Sequence, residues 1–194
     1  MSSETRTVLI QLIGFRDEDL MRRLTESLIK TMGVFNLKFE SCSEYFPLRT
    51  MHFNSGRGQF NASEILASLS EYLESTPFFR VLGVIDKDIY VEGLNFVFGL
   101  AQKPPYMSVV LKRAALISTA RLSGDLDGRS VPGSLFRLRV LKEAMHELGH
   151  TFSLGHCENN CVMRFSNMLV ETDLKPAFFC ESCFNRCLEF FSSM

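Results

Sequence analysis

His146-Glu147-Leu148-Gly149-His150-Thr151-Phe152-Ser153-Leu154-Gly155-His156-Cys157 is the stretch on which the reading of this chain turns. On a helix, two imidazoles four residues apart lie nearly above one another on one face, so a single ion can reach both. If the helix continued, His156 would sit roughly 120° around from His150, at about 100° per residue, so the helix has to break between them. Gly155 offers a left-handed turn without a Cβ penalty, bringing His156 to the ion from outside the helix. Three neutral nitrogen ligands leave a fourth zinc position for water, whose pKa zinc lowers to ~7. Glu147, next to the first ligand, can face that water without taking the metal and can pass its proton to a leaving amine. The chemistry implied is metal-assisted amide hydrolysis. A lone H-E-x-x-H string has false matches; its extension by a third histidine beyond a glycine-bearing turn is far more specific.

Working upstream, Leu138, Leu141, Met145, Leu148 and Phe152 form an apolar stripe that would dock this helix on a sheet, with Ser134 as its expected N-cap. The Gly-, Asp- and Ser-rich segment 121–133 reads as an exposed connection. Before it, 8–13, 35–39, 79–85, 96–100 and 114–119 read as strands, 18–31 as an amphipathic helix, and 61–75 as a second helix capped by Asn61. Five strands with interleaved helices predict an α/β sheet layer with an active-site helix. Glu143 shares the ligands' helical stripe and either orients an imidazole or is solvated surface.

Downstream, Cys157 and Cys161 are matched by Cys180 and Cys183, two close pairs of the kind that close a tetrahedral Cys₄ zinc site. Four thiolates saturate zinc, so this second ion would be structural, and Cys157 directly follows the third histidine. Cys187 reads as packing, or as a substitute ligand one helical turn on from Cys183. Cys42 reads as a buried thiol, and His52 as an ordinary loop or surface residue.

The 194 residues are enough for one domain with a core that needs no disulfides. A net charge of -1 offers no basic field for a phosphate backbone, so no nucleic-acid partner is expected. The apolar run 8–13 is far below the ~18 residues of a membrane span, and no cleavable-signal layout is visible. The expectation is a soluble, cytoplasmic monomer with no membrane partner.

The string from His146 to Cys183 closely resembles the archaemetzincins, a family of metzincin zinc peptidases whose pattern joins three histidines, a methionine and four cysteines. The stretch 84–100 and Lys142-Glu143-Ala144 are similar to that family as well, less specifically. The resemblance implies a metzincin-like fold: a twisted mixed five-stranded sheet above a cleft, an upper subdomain to about residue 156, and a small zinc-stabilised lower subdomain over about 157–194. It implies two zinc ions, a peptide or protein substrate, and Met163 as the Met-turn residue flooring the catalytic metal. It also implies an edge strand, mapped onto 96–100, that pairs with an extended peptide. Internal cleavage and amino-terminal trimming are both associated with the family. For the latter, Asp86, Asp88 and Glu92 are the candidate amine acceptors. Two departures stand out: Ser153 replaces the pattern's glycine, and the first cysteine pair is one residue shorter. The competing reading is a catalytically quiet, zinc-stabilised module that binds a peptide or protein, against which the retention of Glu147 argues. A zinc hydrolase of non-peptide amides or esters would share every residue named.

Overall fold

The computed structural model describes residues 6–102, 113–125 and 129–193. Strand β1 (Arg6–Ile13) is buried from Val8 onward, as a strand covered on both faces must be. Helix α1 (Glu18–Met32) starts at Asp17, whose carboxylate accepts from Leu20 N at 2.9 Å. A 3₁₀ turn, Gly33–Phe35, ends at left-handed Asn36 (φ 56°). Strand β2 (Leu37–Phe46) therefore begins later than expected and runs much further. There follow β3 (Phe53–Asn54), β4 (Gln59–Asn61) and α2 (Ala62–Glu74), the last capped by Asn61 accepting from Ser63 N at 3.0 Å. The chain continues through β5 (Arg80–Ile85), β6 (Ile89–Tyr90), β7 (Gly99–Ala101) and β8 (Arg113–Ser118). The last elements are α3 (Gly133–Thr151), α4 (Leu169–Leu174) and α5 (Glu181–Ser192).

Among the described residues, five strands form a sheet in the order β2-β1-β5-β8-β7, parallel except for the antiparallel β7–β8 pair. This is the mixed α/β sheet expected. A smaller sheet, β3-β4-β6, sits beside it. Side chains alternate between faces along each strand, so the sheet carries two cores. Val8, Ile10, Leu82, Val84, Ala115 and Ile117 pack with α1, α3 and α5, whereas Leu9, Ile13, Val81, Ile85 and Leu116 pack with α2. No described helix is long and apolar enough to cross a membrane.

Several sequence expectations need correction. Helix α3 begins after Pro132 with no side-chain cap, and Ser134 lies inside it; proline's fixed φ suits a helix start. Leu138 is exposed, and α3 docks instead through Val140, Ala144, Met145, Leu148 and Phe152. The edge strand is shorter than 96–100 and displaced toward Ala101. His52 is buried at 5% exposure beside Ser68 Oγ, and Cys42 is only half-buried. In segment 121–133, a Gly124–Ser130 bridge pins a mostly exposed excursion whose residues 126–128 lie outside the described set.

Buried Arg80 of β5 fixes the far end of α3: its guanidinium donates to Thr151 O at 3.2 Å and lies 3.7 Å from the Phe79 ring centre. A cation there complements the helix's negative end. Burial, then Arg113 and Arg6, pull its pKa down to about 9. Helix α3 thus rests on the sheet with its C-terminal turn anchored.

Candidate metal centre and substrate cleft

The three histidines of the opening motif meet. One side-chain nitrogen of each of His146, His150 and His156 lies within 4.8 Å of the others. His146 and His150 are buried and reach the site from α3, while His156 is exposed and arrives from the loop beyond. The chain turns back at Ser153, whose φ is 67°; Gly155 is not among the positive-φ residues, so the expected glycine turn falls two residues earlier. A serine there costs roughly 1 kcal/mol against glycine.

Backbone carbonyls orient the rings. His146 Nδ1 lies 3.0 Å from Val162 O, and His150 Nδ1 lies 2.8 Å from Leu154 O. Each Nδ1–H donates outward, which leaves the Nε2 lone pair facing the site. The two Nε2 atoms are 3.1 Å apart. Nitrogens bound to one tetrahedral zinc at about 2.0–2.1 Å stand about 3.3 Å apart, so the pair fits a shared ion. Burial, reinforced by the Lys175 charge and His150, holds the His146 pKa well below the usual imidazole range and keeps the ring neutral for ligation.

Met163 lies directly under α3. A Cβ at Gly149 would collide with Met163 Sδ, so Gly149 is the position that lets the thioether approach the helix carrying the histidines. Cys157 N donates to Met163 O at 3.0 Å, tying the segment after the third histidine to this floor. Phe165 covers the outer side, 4.7 Å from the His156 ring centre.

Cys157, Cys161, Cys180 and Cys183 also converge within 4.8 Å, without Cys187. The Cys157 and Cys180 sulfurs are 3.7 Å apart; thiolates on one tetrahedral zinc at about 2.3 Å stand about 3.8 Å apart. Burial opposes ionisation of Cys180, yet hydrogen bonds from the Cys183 N–H and the Asn159 amide outweigh it and bring the thiol down to about 6. Cys187 is fully buried in the core, where burial pushes its thiol up to about 12.

A cleft of about 240 Å³ opens beside His146 and Glu147, walled by residues 94–99 ahead of and on β7, by α3, and by residues 165–167. Glu147 is 6% exposed. A Cβ at Gly99 would stand 2.6 Å from its Cγ and Oε1, so any larger residue at this point of β7 would have to displace the carboxylate or the strand. Glu143 is neither solvated surface nor an imidazole partner in the contacts seen. Buried at 3%, it pairs with Lys175 Nζ at 2.9 Å and accepts from Thr172 Oγ1 at 3.1 Å. Asp86, Asp88 and Glu92 do not line the cleft, and Asp88 is held by a two-pronged contact from Arg121.

Residues 49–189 match Peptidase family M54. The archaemetzincin of Pyrococcus abyssi is 44% identical over 181 residues, covering 92% of this chain and 93% of that protein. The chain belongs to the archaemetzincin family. The archaemetzincin of Sulfolobus acidocaldarius is 36% identical over 92% of this chain and 93% of its own length. The crystal structure of archaemetzincin from Methanopyrus kandleri superposes with a TM-score of 0.78 at 33% identity, covering 96% of each chain. Archaemetzincins are zinc metallopeptidases, so zinc is the ion against which both clusters are to be judged, and both have its donor types and spacings.

Lys175, Gly99 and the two anchoring carbonyls had no sequence signal. Each acts through a neighbour distant in the chain, and no local spacing marks it.

Proposed function

We propose that this archaemetzincin hydrolyses peptide bonds at the histidine cluster. His146, His150 and His156 hold the catalytic zinc; Glu147 is the general base; Cys157, Cys161, Cys180 and Cys183 hold a second, structural zinc; Met163 floors the first site. The observation that carries this reading is the convergence of the His146 and His150 Nε2 atoms at 3.1 Å, beside a buried carboxylate lining the same cleft. When bound, zinc polarises the scissile carbonyl and makes water a nucleophile at neutral pH. Glu147 takes the proton from the attacking water on a carboxylate oxygen and returns it to the leaving amine. The substrate lies along the free edge of β7. Phe98 O accepts from Ser118 N and Gln102 N donates to Ala114 O, so the alternation turns the backbone of Gly99 and Ala101 away from β8 and toward the cleft side.

Residues 1–194 are read as one metalloprotease domain acting as a monomer, with an upper subdomain to about 156 and a lower one beyond. Amino-terminal trimming would need an amine acceptor other than Asp86, Asp88 or Glu92, none of which reaches the cleft; comparing free with acetylated N-termini on one peptide separates the two modes. The test of the main reading is zinc stoichiometry alongside cleavage of a peptide library by wild type and Glu147→Ala. Two zincs in both proteins, with turnover lower by at least ~10²-fold in the variant, is the expected result. Two zincs and no turnover by wild type would make the protein a binding module.

A further inference from the structure

Two cavities flank the histidine cluster. The first is the cleft of about 240 Å³ that reaches His146 and Glu147. The second, of about 480 Å³, opens against His156, whose ring centre is 5.4 Å from that of His146, and is lined further by Cys157, Glu158 and Arg164. Phe165 lines both. Its backbone is pinned from each side: Val162 N donates to Phe178 O and Arg164 N to Cys161 O, while Asn167 N and Met168 N both donate to the Glu171 carboxylate. The side chain is not buried. Phe165 is 47% exposed, and its ring leans over that of His156 at a tilt of 44°. A large apolar side chain left half in water on a fixed backbone loses little freedom when a ligand covers it, which suits it to carry binding energy. Leu94, equally exposed, lines the first cavity from the segment ahead of β7. The charges at that cavity's inner end are spent on each other, because Lys175 and Glu143 pair at 2.9 Å with side chains 0% and 4% exposed.

We propose that Phe165 is a specificity-determining residue whose ring stands between the two substrate side chains flanking the scissile bond. The inference rests on the peptidase reading and gives that site a substrate class: chains that continue past the metal on both sides, with a large apolar residue on the amine side of the cut. Successive side chains of an extended peptide point to opposite sides, so the two neighbours across the cut enter different cavities. Proton transfer assigns them. Glu147 returns its proton to the leaving amine, so the residue carrying that amine lies in the Glu147 cavity, where Phe165 and Leu94 offer it apolar surface. The acyl-side residue leaves past His156 into the second cavity and covers the other part of the same ring. Glu158 and Arg164 bring opposite charges there, so the second cavity selects for bulk and not for one sign of charge. In the first, a Leu or Phe side chain gains from its whole apolar area, whereas an Asp, Glu or Lys side chain loses hydration beside an ion pair that is already complete.

The test uses two peptide series, one varied at the amine-side residue (Leu, Ala, Glu or Lys) and one at the acyl-side residue (Leu or Gly), with the cut located by mass spectrometry. In wild type, kcat/KM for Leu over Ala on the amine side should be about tenfold or more, the scale on which an apolar pocket sorts side chains by a few carbons. Glu and Lys should be used no better than Ala. Phe165→Ala should reduce the Leu preference several-fold at both positions, Leu94→Ala on the amine side alone, and Phe165→Leu should retain most of it. Leu174→Ala shortens a more exposed apolar side chain that lines neither cavity and should change neither preference. Ratios within each protein cancel any general loss of activity. An effect of Phe165→Ala that is absent, or confined to one position, overturns the proposal. Binding of the same peptides to zinc-loaded Glu147→Gln protein, read by fluorescence anisotropy, separates it from the peptidase reading. Turnover whose selectivity ignores Phe165→Ala overturns the role of the ring and leaves the peptidase standing. No turnover by wild type, with Leu peptides bound more tightly and that preference lost on adding Phe165→Ala, keeps the ring as a peptide contact and removes the peptidase.

Discussion

Gly99 contributes no side chain, yet it sets where the Glu147 carboxylate can stand. Gly99→Ala would place a methyl group 2.6 Å from Glu147 Cγ. An error of about 1 Å in a reacting group can cost ~10²-fold, so kcat should fall on that scale while zinc content, measured by mass spectrometry, stays unchanged. If kcat holds, Gly99 does not set the position of the Glu147 carboxylate. The histidines and cysteines could be read from the chain because metal ligation imposes local spacings. Gly99 and Lys175 could not, since each meets its partner only through the tertiary fold. The turn shows a subtler failure. Gly155 looked like the left-handed residue because glycine adopts that conformation freely, but the hydrogen bond from Leu154 N to Gly149 O closes the helix earlier and places Ser153 there.

At the scale of elements, β7 is three residues long, pairs only with β8, and leaves one edge unpaired within the described sheet. Ala101→Pro deletes one outward N–H and spares the ladder to β8, a substitution that edge strands accept. If the substrate adds to this edge, KM should rise by roughly 2–10-fold, the value of one hydrogen bond, with kcat nearly constant. Unchanged KM for long peptides would move the groove elsewhere. The larger elements were legible because β1, β5, β8, α1 and α2 have strong periods: continuous apolar runs for covered strands and a one-sided stripe for helices. Strands β3, β4 and β6, of two or three residues, are too short to show alternation. Helix α5 escaped because its buried stripe consists of Cys183 and Cys187, which read as ligand chemistry before they read as a helical face.

For the whole molecule, the cysteine cluster joins the loop after the third histidine to the start of α5, and α5 in turn packs in the core shared with α1 and α3. Cys183→Ser should therefore act twice. Loss of a structural zinc site removes several kcal/mol of folding free energy, and at ~2–4 °C per kcal/mol Tm should fall by about 10 °C or more. The catalytic zinc should also bind more weakly in a chelator titration, because His156 and Cys157 are adjacent. A variant that lost stability but kept full affinity at the histidines would show the two sites to be independent. The burial of the ligands bears on time as well as affinity. His146 and His150 are enclosed, and only His156 meets solvent. On the proposed ligand set, His156 would be the ligand that solvent and competing chelators reach, so the stiffness of the His156–Cys157 joint would set how long a bound ion stays. How long the loaded protein survives dilution or competition would then be decided outside the helix that supplies two of its three proposed ligands.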